Sequence, residues 1–525
     1  MKAGFRQSMA WLHTWSGLVV GWLLFAIFLT GAVSFYRHEI SGWMRPELRQ
    51  MAPSPDAASI ALDRLKAIAP NARRWLVDLP DARDPIAHIY AWRDPGQTPS
   101  FQREGLDTAA GKPAAARATY GGDFLFYFHF DLNMPSIWGR LIVGGAAVVM
   151  LIAIVSGVIT HRRIFRDFFT FRPGKGSHRS WLDAHNVLGV MALPFHVMIT
   201  YTGLITLMFL YMPWARDAAY PDGSQRFLSE ASFATTIPEA ARAAAPLAPI
   251  EPLLAEAERR WGGAPVGRIN VYRPGDASAL IELTSSDAAQ IAFHRRKITF
   301  NGVTGAVVST TDPTRWAAET YGVMYGLHVG RFADPFVRFL YFLSSMAGTA
   351  MVATGLLLWV AKRCPKGGGA TKPNLGHQVV KKLNIGTIAG LPIAIAAFFW
   401  ANRVLPADLA RRADLEVGSF FLVWILAVVH PLLRTTGRAW TEQLTLAALL
   451  YGALPLLNAL TTDAHLGASV PQGDWRLAGV DLTMAATGLL LALTAWRVAK
   501  SQSDKDDPTR PIPEGPPPVS TERRP

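Results

Sequence analysis

Two histidines, His185 and His196, stand eleven residues apart in WLDAHNVLGVMALPFHVMITYTGLI, a stretch otherwise apolar enough for a bilayer interior. An ionisable side chain inside a membrane segment is costly and marks a functional position by default. Imidazole there can hold a metal, carry a proton or hydrogen-bond a neighbouring helix. At about 1.5 Å and 100° per residue, side chains eleven apart lie on nearly one helix face, about 16 Å apart along the axis. That is about half of the ~30 Å hydrocarbon thickness, so one helix would offer ligands at two depths. The single cysteine, Cys364, excludes an intramolecular disulfide and any cysteine-built zinc or iron–sulfur site. Metal chemistry must then run through histidine and carboxylates.

The histidines fall into a repeat. When LHTWSGLVVGWLLFAIFLTGAVSF is set beside AHNVLGVMALPFHVMITYTGLITL, His13, Gly17, Thr30 and Gly31 fall on His185, Gly189, Thr202 and Gly203 without a gap. His129 in FHFDL and His328 in LHVGRF precede the next apolar runs, IVSGVITHRR and VATGLLLWVAKR, each of which closes on a basic pair. His161 stands beside Arg162 and Arg163, where it serves either as a ligand or as part of the basic cluster. Thr30-Gly31 and Thr202-Gly203 read as close-packing sites. Asp183 reads as a helix cap or as an orienting partner for His185. The aromatic run FLFYFHF reads as a membrane-interface belt. His38, His88, His178, His294, His377 and His465 read as solvated loop residues, and His430 as a structural polar contact.

The elements that must position these groups are mostly membrane spans. Of 525 residues, 50% are hydrophobic and 17 are tryptophan, which suits a polytopic membrane protein with sizeable external parts. The net charge of +13 does not point to nucleic acid, because the basic residues cluster at the ends of apolar runs. Runs of about 20 apolar residues occur at Trp11 to Phe35, Leu141 to Ile159, Leu182 to Met212, Val337 to Val360, Leu383 to Ala401, Val417 to Leu433, Leu444 to Leu460 and Leu477 to Trp496. The first is too long for a signal peptide and lacks a small-residue cleavage site, so it reads as an uncleaved span. Basic loops at 161–180 and 362–382 face the cytoplasm by the positive-inside rule, with both termini inside.

Along the chain this gives a first span at 1–36, an external module at 37–137, a second span at 138–160 and a third at 181–212. A second module at 213–335, a fourth span at 336–361, a four-helix membrane region at 383–497 and a disordered tail at 498–525 complete it. Each module holds an amphipathic helix, SIALDRLKAIA or IEPLLAEAERRW, followed by a strand–turn–strand unit, FQREGLDTAAGKP or HRRKITFNGVTGAVV. Span, α+β module and span thus occur twice from the same side, which predicts a four-helix bundle with a pseudo-twofold axis along the membrane normal.

Over residues 8 to 363 the chain resembles the PepSY-associated transmembrane helix family, which includes PiuB-like iron-regulated membrane proteins and ferric-siderophore reductases of the inner membrane. The resemblance rests on LHTWSGL with LTGAV, SGVITHRRIFRDFFTFRPGKG, WLDAHNVLGVMALPFHVMITYTGL and LHVGRFADPFVRFLYFLSSMAGTAMVATGLLLW. It implies two periplasmic PepSY-like modules, b-type haem between the helices and reduction of iron chelates. Two haems are expected. His13 and His185 would hold the inner one, and two of His196, His129 and His328 the outer one; His161 is a further candidate. Gly17 and Gly189, one turn beyond His13 and His185, would leave room for the ring. The propionates of the inner haem would reach Arg6, Arg172, Lys175 or Arg179. No Gly-rich nucleotide motif follows a strand, so electrons would come from a quinol or a separate cytoplasmic reductant. The expected activity is a haem-dependent reduction of ferric siderophores or other ferric chelates in the periplasm, with membrane lipid and no nucleic acid as surroundings. Two alternatives are a siderophore or iron transporter and a non-catalytic PepSY regulatory protein. Against transport, the spans lack an evident midplane acidic set and paired broken helices.

Overall fold

The computed structural model describes residues 4–94, 96–161, 177–221, 226–227, 237–286, 288, 290–292, 296–311, 316–363 and 374–506. Arg162, Arg163, Arg166, Arg172, Lys175, His294, Cys364, Lys366 and Lys372 lie outside the described residues, as does the tail from 507 on.

The chain opens as α1 (Phe5–Ser34), an apolar helix of 30 residues, and turns into α2 (Arg37–Met44). Helix α3 (Ala57–Ile68) and strands β1 (Arg74–Asp78), β2 (Ala87–Trp92), β3 (Phe101–Asp107) and β4 (Lys112–Pro113) follow. Helix α4 (Gly122–Asp131) leads into α5 (Ser136–Thr160). The pattern then recurs with α6 (Ser177–Met191), α7 (Leu193–Thr206), α8 (Ile250–Arg260) and strands β5 (Val266–Tyr272), β6 (Leu280–Ser285), β7 (Lys297–Asn301) and β8 (Val307–Thr311). Helices α9 (Trp316–Val329) and α10 (Pro335–Lys362) close it. The last region comprises α11 (Leu375–Ile388), α12 (Gly390–Val404), α13 (Arg412–Val429), α14 (Thr436–Thr461) and α15 (Trp475–Asp506). Among the described residues, seven helical segments are long and apolar enough to cross a membrane, or eight if the bent α6–α7 pair counts as one crossing. Two boundaries move. Helix α11 begins eight residues before the expected 383, and α15 runs past the expected tail boundary at 498.

The bend corrects the straight third span. The α6 and α7 pieces meet at 67°, with Ala192 between them and Pro194 in the first turn of α7. Proline has no N–H for the α-helical ladder and its ring crowds the carbonyl four residues back. His185 and His196 therefore do not share one straight helix face.

The two external segments do not stand as separate sheets. Their strands form one eight-stranded sheet in the order β4-β3-β2-β1-β5-β6-β7-β8. Strands β1 and β5 pair antiparallel at its centre, Arg74 opposite Tyr272 and Asp78 opposite Arg268. Left apart, each would present an unpaired edge of N–H and C=O groups. Helices α3 and α8 cover one face, packing Ala61, Leu65, Leu253 and Ala257 against Val77, Ile89, Ile269, Ile281 and Phe300. The outer hairpins match in detail. Asp107 Oδ1 accepts from the backbone N–H of Ala109 and Ala110, and Asn301 Oδ1 from those of Val303 and Thr304.

The last helices dock through buried polar contacts. Trp43 Nε1 of α2 donates to Asp481 Oδ1 at 2.8 Å, and Asn458 Nδ2 donates to Asp481 Oδ2 at 2.9 Å. The Arg403 guanidinium lies 3.6 Å above the Trp43 ring. Arg412 pairs with Glu416, which also accepts from Asn402 and from Thr119 of the external segment. This acidic and basic set inside the spans was missed in the sequence, where hydropathy averages it away.

Candidate functional site

Four of the six candidate histidines come together as two pairs. His13 of α1 faces His185 of α6, with ring centroids 6.1 Å apart. His129 of α4 faces His328 of α9, also with centroids 6.1 Å apart. The second pair comes from helices beside the spans rather than from the spans themselves. With a metal–imidazole bond of about 2 Å on each side, two imidazoles sharing one metal have centroids about 6 Å apart.

The contacts behind each ring repeat across the two halves. His13 Nδ1 lies 2.8 Å from the Ala153 carbonyl, and His185 Nδ1 lies 2.9 Å from that of Met351. His129 Nδ1 lies 2.7 Å from the Ile27 carbonyl, and His328 Nδ1 lies 3.0 Å from that of Ile199. A carbonyl only accepts, so each Nδ1 carries the proton and donates it, which leaves Nε2 with its lone pair. Buried ligating histidines are oriented in this way.

Glycines seat the rings. A Cβ on Gly31 would stand 2.7 Å from His129 Cε1, and one on Gly203 would stand 2.8 Å from His328 Cε1. Gly157 and Gly355 stand in the same relation to His13 and His185, at 3.0 and 3.1 Å. The close packing read at Thr30-Gly31 and Thr202-Gly203 is thus packing against imidazoles. Gly17 faces open space, and Gly189 meets Met351 Sδ at 3.4 Å.

A cavity of about 1170 Å³, part of it an open mouth, adjoins the second pair. Phe28, Gly31, His129, Gly203 and His328 line its inner part, and Arg37, His38, Arg83 and Arg331 line its rim on the sheet side. Arg37 Nε donates to His38 Nε2 at 3.3 Å. Burial, with Arg37 and Arg83 nearby, lowers the His38 pKa to about 3, so its ring stays neutral. Arg83 forms a two-pronged ion pair with Glu39.

The other candidates fall elsewhere. His196 is fully buried between the pairs, one turn before Ile199, with its Nε2 near Gly348. It approaches the Ser344 backbone without a well-formed hydrogen bond, and neither ring nitrogen has a partner. His161 accepts from Asn186 Nδ2 at 3.1 Å. Asp183 pairs with Arg179 at 3.2 Å on the same helix. Arg6 donates to the Thr160 carbonyl at 2.9 Å; Arg172 and Lys175 lie outside the described residues. Four expected loop residues prove structured, His178 among them on α6. His88 lies on β2 and pairs with Asp84 at 2.9 Å, His38 lies on α2, and His377 is buried on α11.

Among the described residues no group of three or more His, Cys, Asp or Glu converges as a metal cluster. A two-histidine set leaves an octahedral metal four positions to be filled by another group, which a tetrapyrrole supplies. The centroid spacing, the glycine seats and, at the second pair, the adjoining cavity fit such a group.

Compared with known proteins, the chain is 25% identical over 399 residues to the "Uncharacterized protein PA4219" of Pseudomonas aeruginosa, covering 74% of this chain and 97% of that protein. Residues 10–362, from the start of α1 to the end of α10 and including all four paired histidines, match the family described as the PepSY-associated TM region, and the chain belongs to that family.

Proposed function

We propose that this chain carries electrons across the bacterial inner membrane on two b-type haems and reduces ferric chelates, such as ferric siderophores, in the periplasm. The observation that carries the reading is a recurrence: two imidazoles with ring centroids 6.1 Å apart, each with Nδ1 held by a backbone carbonyl. His13 and His185 hold the inner haem, and His129 and His328 the outer one. Haem bound by two histidines supplies a one-electron Fe(III)/Fe(II) couple and is closed to oxygen. The backbone carbonyls at Ala153, Met351, Ile27 and Ile199 keep the ligands neutral and aimed. The arginine rim over the outer pair suits propionates or an anionic chelate. Reduction releases the metal because hard oxygen ligands hold Fe²⁺ far more weakly than Fe³⁺.

In this reading α1, α5, α6–α7 and α10 form a pseudo-twofold four-helix core, and the external segments are two PepSY-like modules joined edge to edge. The basic loops and both termini are cytoplasmic. A transporter is less well supported, since a single broken span occurs among the described residues and the buried charges of α12 to α15 are held in hydrogen bonds or an ion pair.

The test is haem stoichiometry with a reduced-minus-oxidised spectrum of protein purified from haem-replete cells. Two b-type haems per chain are expected. His13→Ala and His185→Ala should each lose one, and His129→Ala and His328→Ala the other. Full haem content with an unchanged low-spin spectrum in these variants would overturn the assignment.

A further inference from the structure

Beside the inner histidine pair, on the side away from the sheet, three polar atoms are buried without partners. Two are the ring nitrogens of His377, on the first turn of α11, and the third is Trp359 Nε1 of α10. His377 is 7% exposed, and its ring stacks on the Trp359 indole with centroids 6.1 Å apart and planes 27° apart. Trp15 of α1 meets Trp359 edge to face at 6.5 Å, and the Arg363 guanidinium lies 4.1 Å over the Trp359 ring. Buried polar groups are almost always hydrogen-bonded, so adjacent orphans ask for a missing partner.

The position is fixed and close to the proposed redox path. Trp15 stands two residues past His13, and Trp359 stands one turn past Gly355, which abuts His185. Helix α11 is held there by Asn384, two turns past His377. Asn384 accepts from Trp22 Nε1 at 2.9 Å and donates to the Leu356 carbonyl at 3.2 Å. The surroundings open to lipid, since Trp11, Trp15, Leu375 and Val379 are exposed on apolar faces.

We infer that His377, Trp359 and Trp15 form a binding site for a membrane-soluble quinol, the electron donor to the inner histidine pair. A quinol is flat enough to lie against the indoles. One hydroxyl can donate to a His377 lone pair while its oxygen accepts from Trp359 Nε1–H. Its apolar tail stays among lipid, which the exposed Leu375 and Val379 suit better than a water-soluble donor. The reaction balances. Quinol loses two protons and two electrons and leaves as quinone. One proton passes to the His377 ring and then to water, and the other passes to water directly. The electrons pass singly to the one-electron acceptor held by His13 and His185, so one quinol accounts for two ferric ions reduced outside. The site also gives the C-terminal helices a role, since α11 lies beyond the family region.

The donor role rests on the haem reading above, whereas quinone binding does not, and the experiment separates them. Full-length protein in lipid nanodiscs is mixed with menadiol and haem reduction is followed in the Soret band, with dithionite as control. His377→Leu and Trp359→Phe should each slow menadiol-driven reduction at least tenfold. Haem content and the dithionite-reduced spectrum should not change. In parallel, an azido-decylubiquinone should photolabel peptides containing Trp359 or His377, and this labelling should fall in both variants. Wild-type rates and labelling in both variants would overturn the site and leave water as the partner of these groups. Dithionite-reducible haem that menadiol does not reduce would sink the quinol alone. Absence of haem with labelling intact would sink the electron-transfer reading and leave a quinone site.

Discussion

His196 is the residue whose place in the molecule most changes its meaning. It shares a chain segment with His185, yet it lies in the packed interior between the two imidazole pairs, with no histidine opposite and no well-formed hydrogen bond at either nitrogen. The four paired imidazoles differ from it in having a well-formed hydrogen bond from Nδ1 to a backbone carbonyl and a second imidazole opposite. A buried polar group without a partner destabilises by about 1–3 kcal/mol, and an apolar replacement of similar shape is neutral or stabilising. His196→Leu should therefore keep wild-type haem content and a thermal midpoint at or above that of the parent. Loss of one haem would return His196 to the ligand set.

At the scale of elements, the seam between the family region and the last helices is held by hydrogen bonds to a buried ion pair as well as by apolar packing. Arg412 and Glu416 are both fully buried, and Glu416 also accepts from Asn402 and Thr119. Removing one partner of a buried pair leaves the other charge unpaired, which costs about 3–5 kcal/mol. Glu416→Leu should lower the thermal midpoint well below that of Glu416→Gln, which keeps hydrogen bonds to its neighbours. Haem content per folded chain should be unchanged in both. A midpoint for Glu416→Gln equal to that of the parent would show that the Glu416 charge does not stabilise this seam.

For the whole molecule, the sheet lies on one side of the spans, and both described chain ends lie on the other. α1 runs toward the sheet segments, while α15 runs from Asp481 near Trp43 to Gln502 near Gly437. In the proposed topology, with the basic loops cytoplasmic, the sheet faces the periplasm. Ala110 is an exposed residue of the β3–β4 turn, and Cys364 is the one native cysteine. Ala110→Cys in a Cys364→Ser background should react with a membrane-impermeant maleimide in spheroplasts and be protected in inverted vesicles. The opposite pattern would reverse the proposed topology and the proposed direction of electron transfer.

Properties that run along a single chain segment were legible in the residues alone. Hydropathy over about 20 residues measures a span, so the crossings appear near where they were expected. The offset that superposes His13, Gly17, Thr30 and Gly31 on His185, Gly189, Thr202 and Gly203 needed no structure either. Pro194 marks the break in the sequence as well, but the apolar run continues through it and hides the bend. What depends on how helices cross was not legible. His129 and His328 meet because α4 and α9 pack beside the spans, and nothing in their local sequence separates them from His196. His377 follows a basic, glycine-rich stretch that reads as solvent, yet α11 starts early enough to bury it against Trp359. The sheet joins at β1 and β5 because two edges far apart in sequence satisfy one another's backbone groups. Periodicity reports which face of an element is apolar; only the tertiary structure decides which other face it meets.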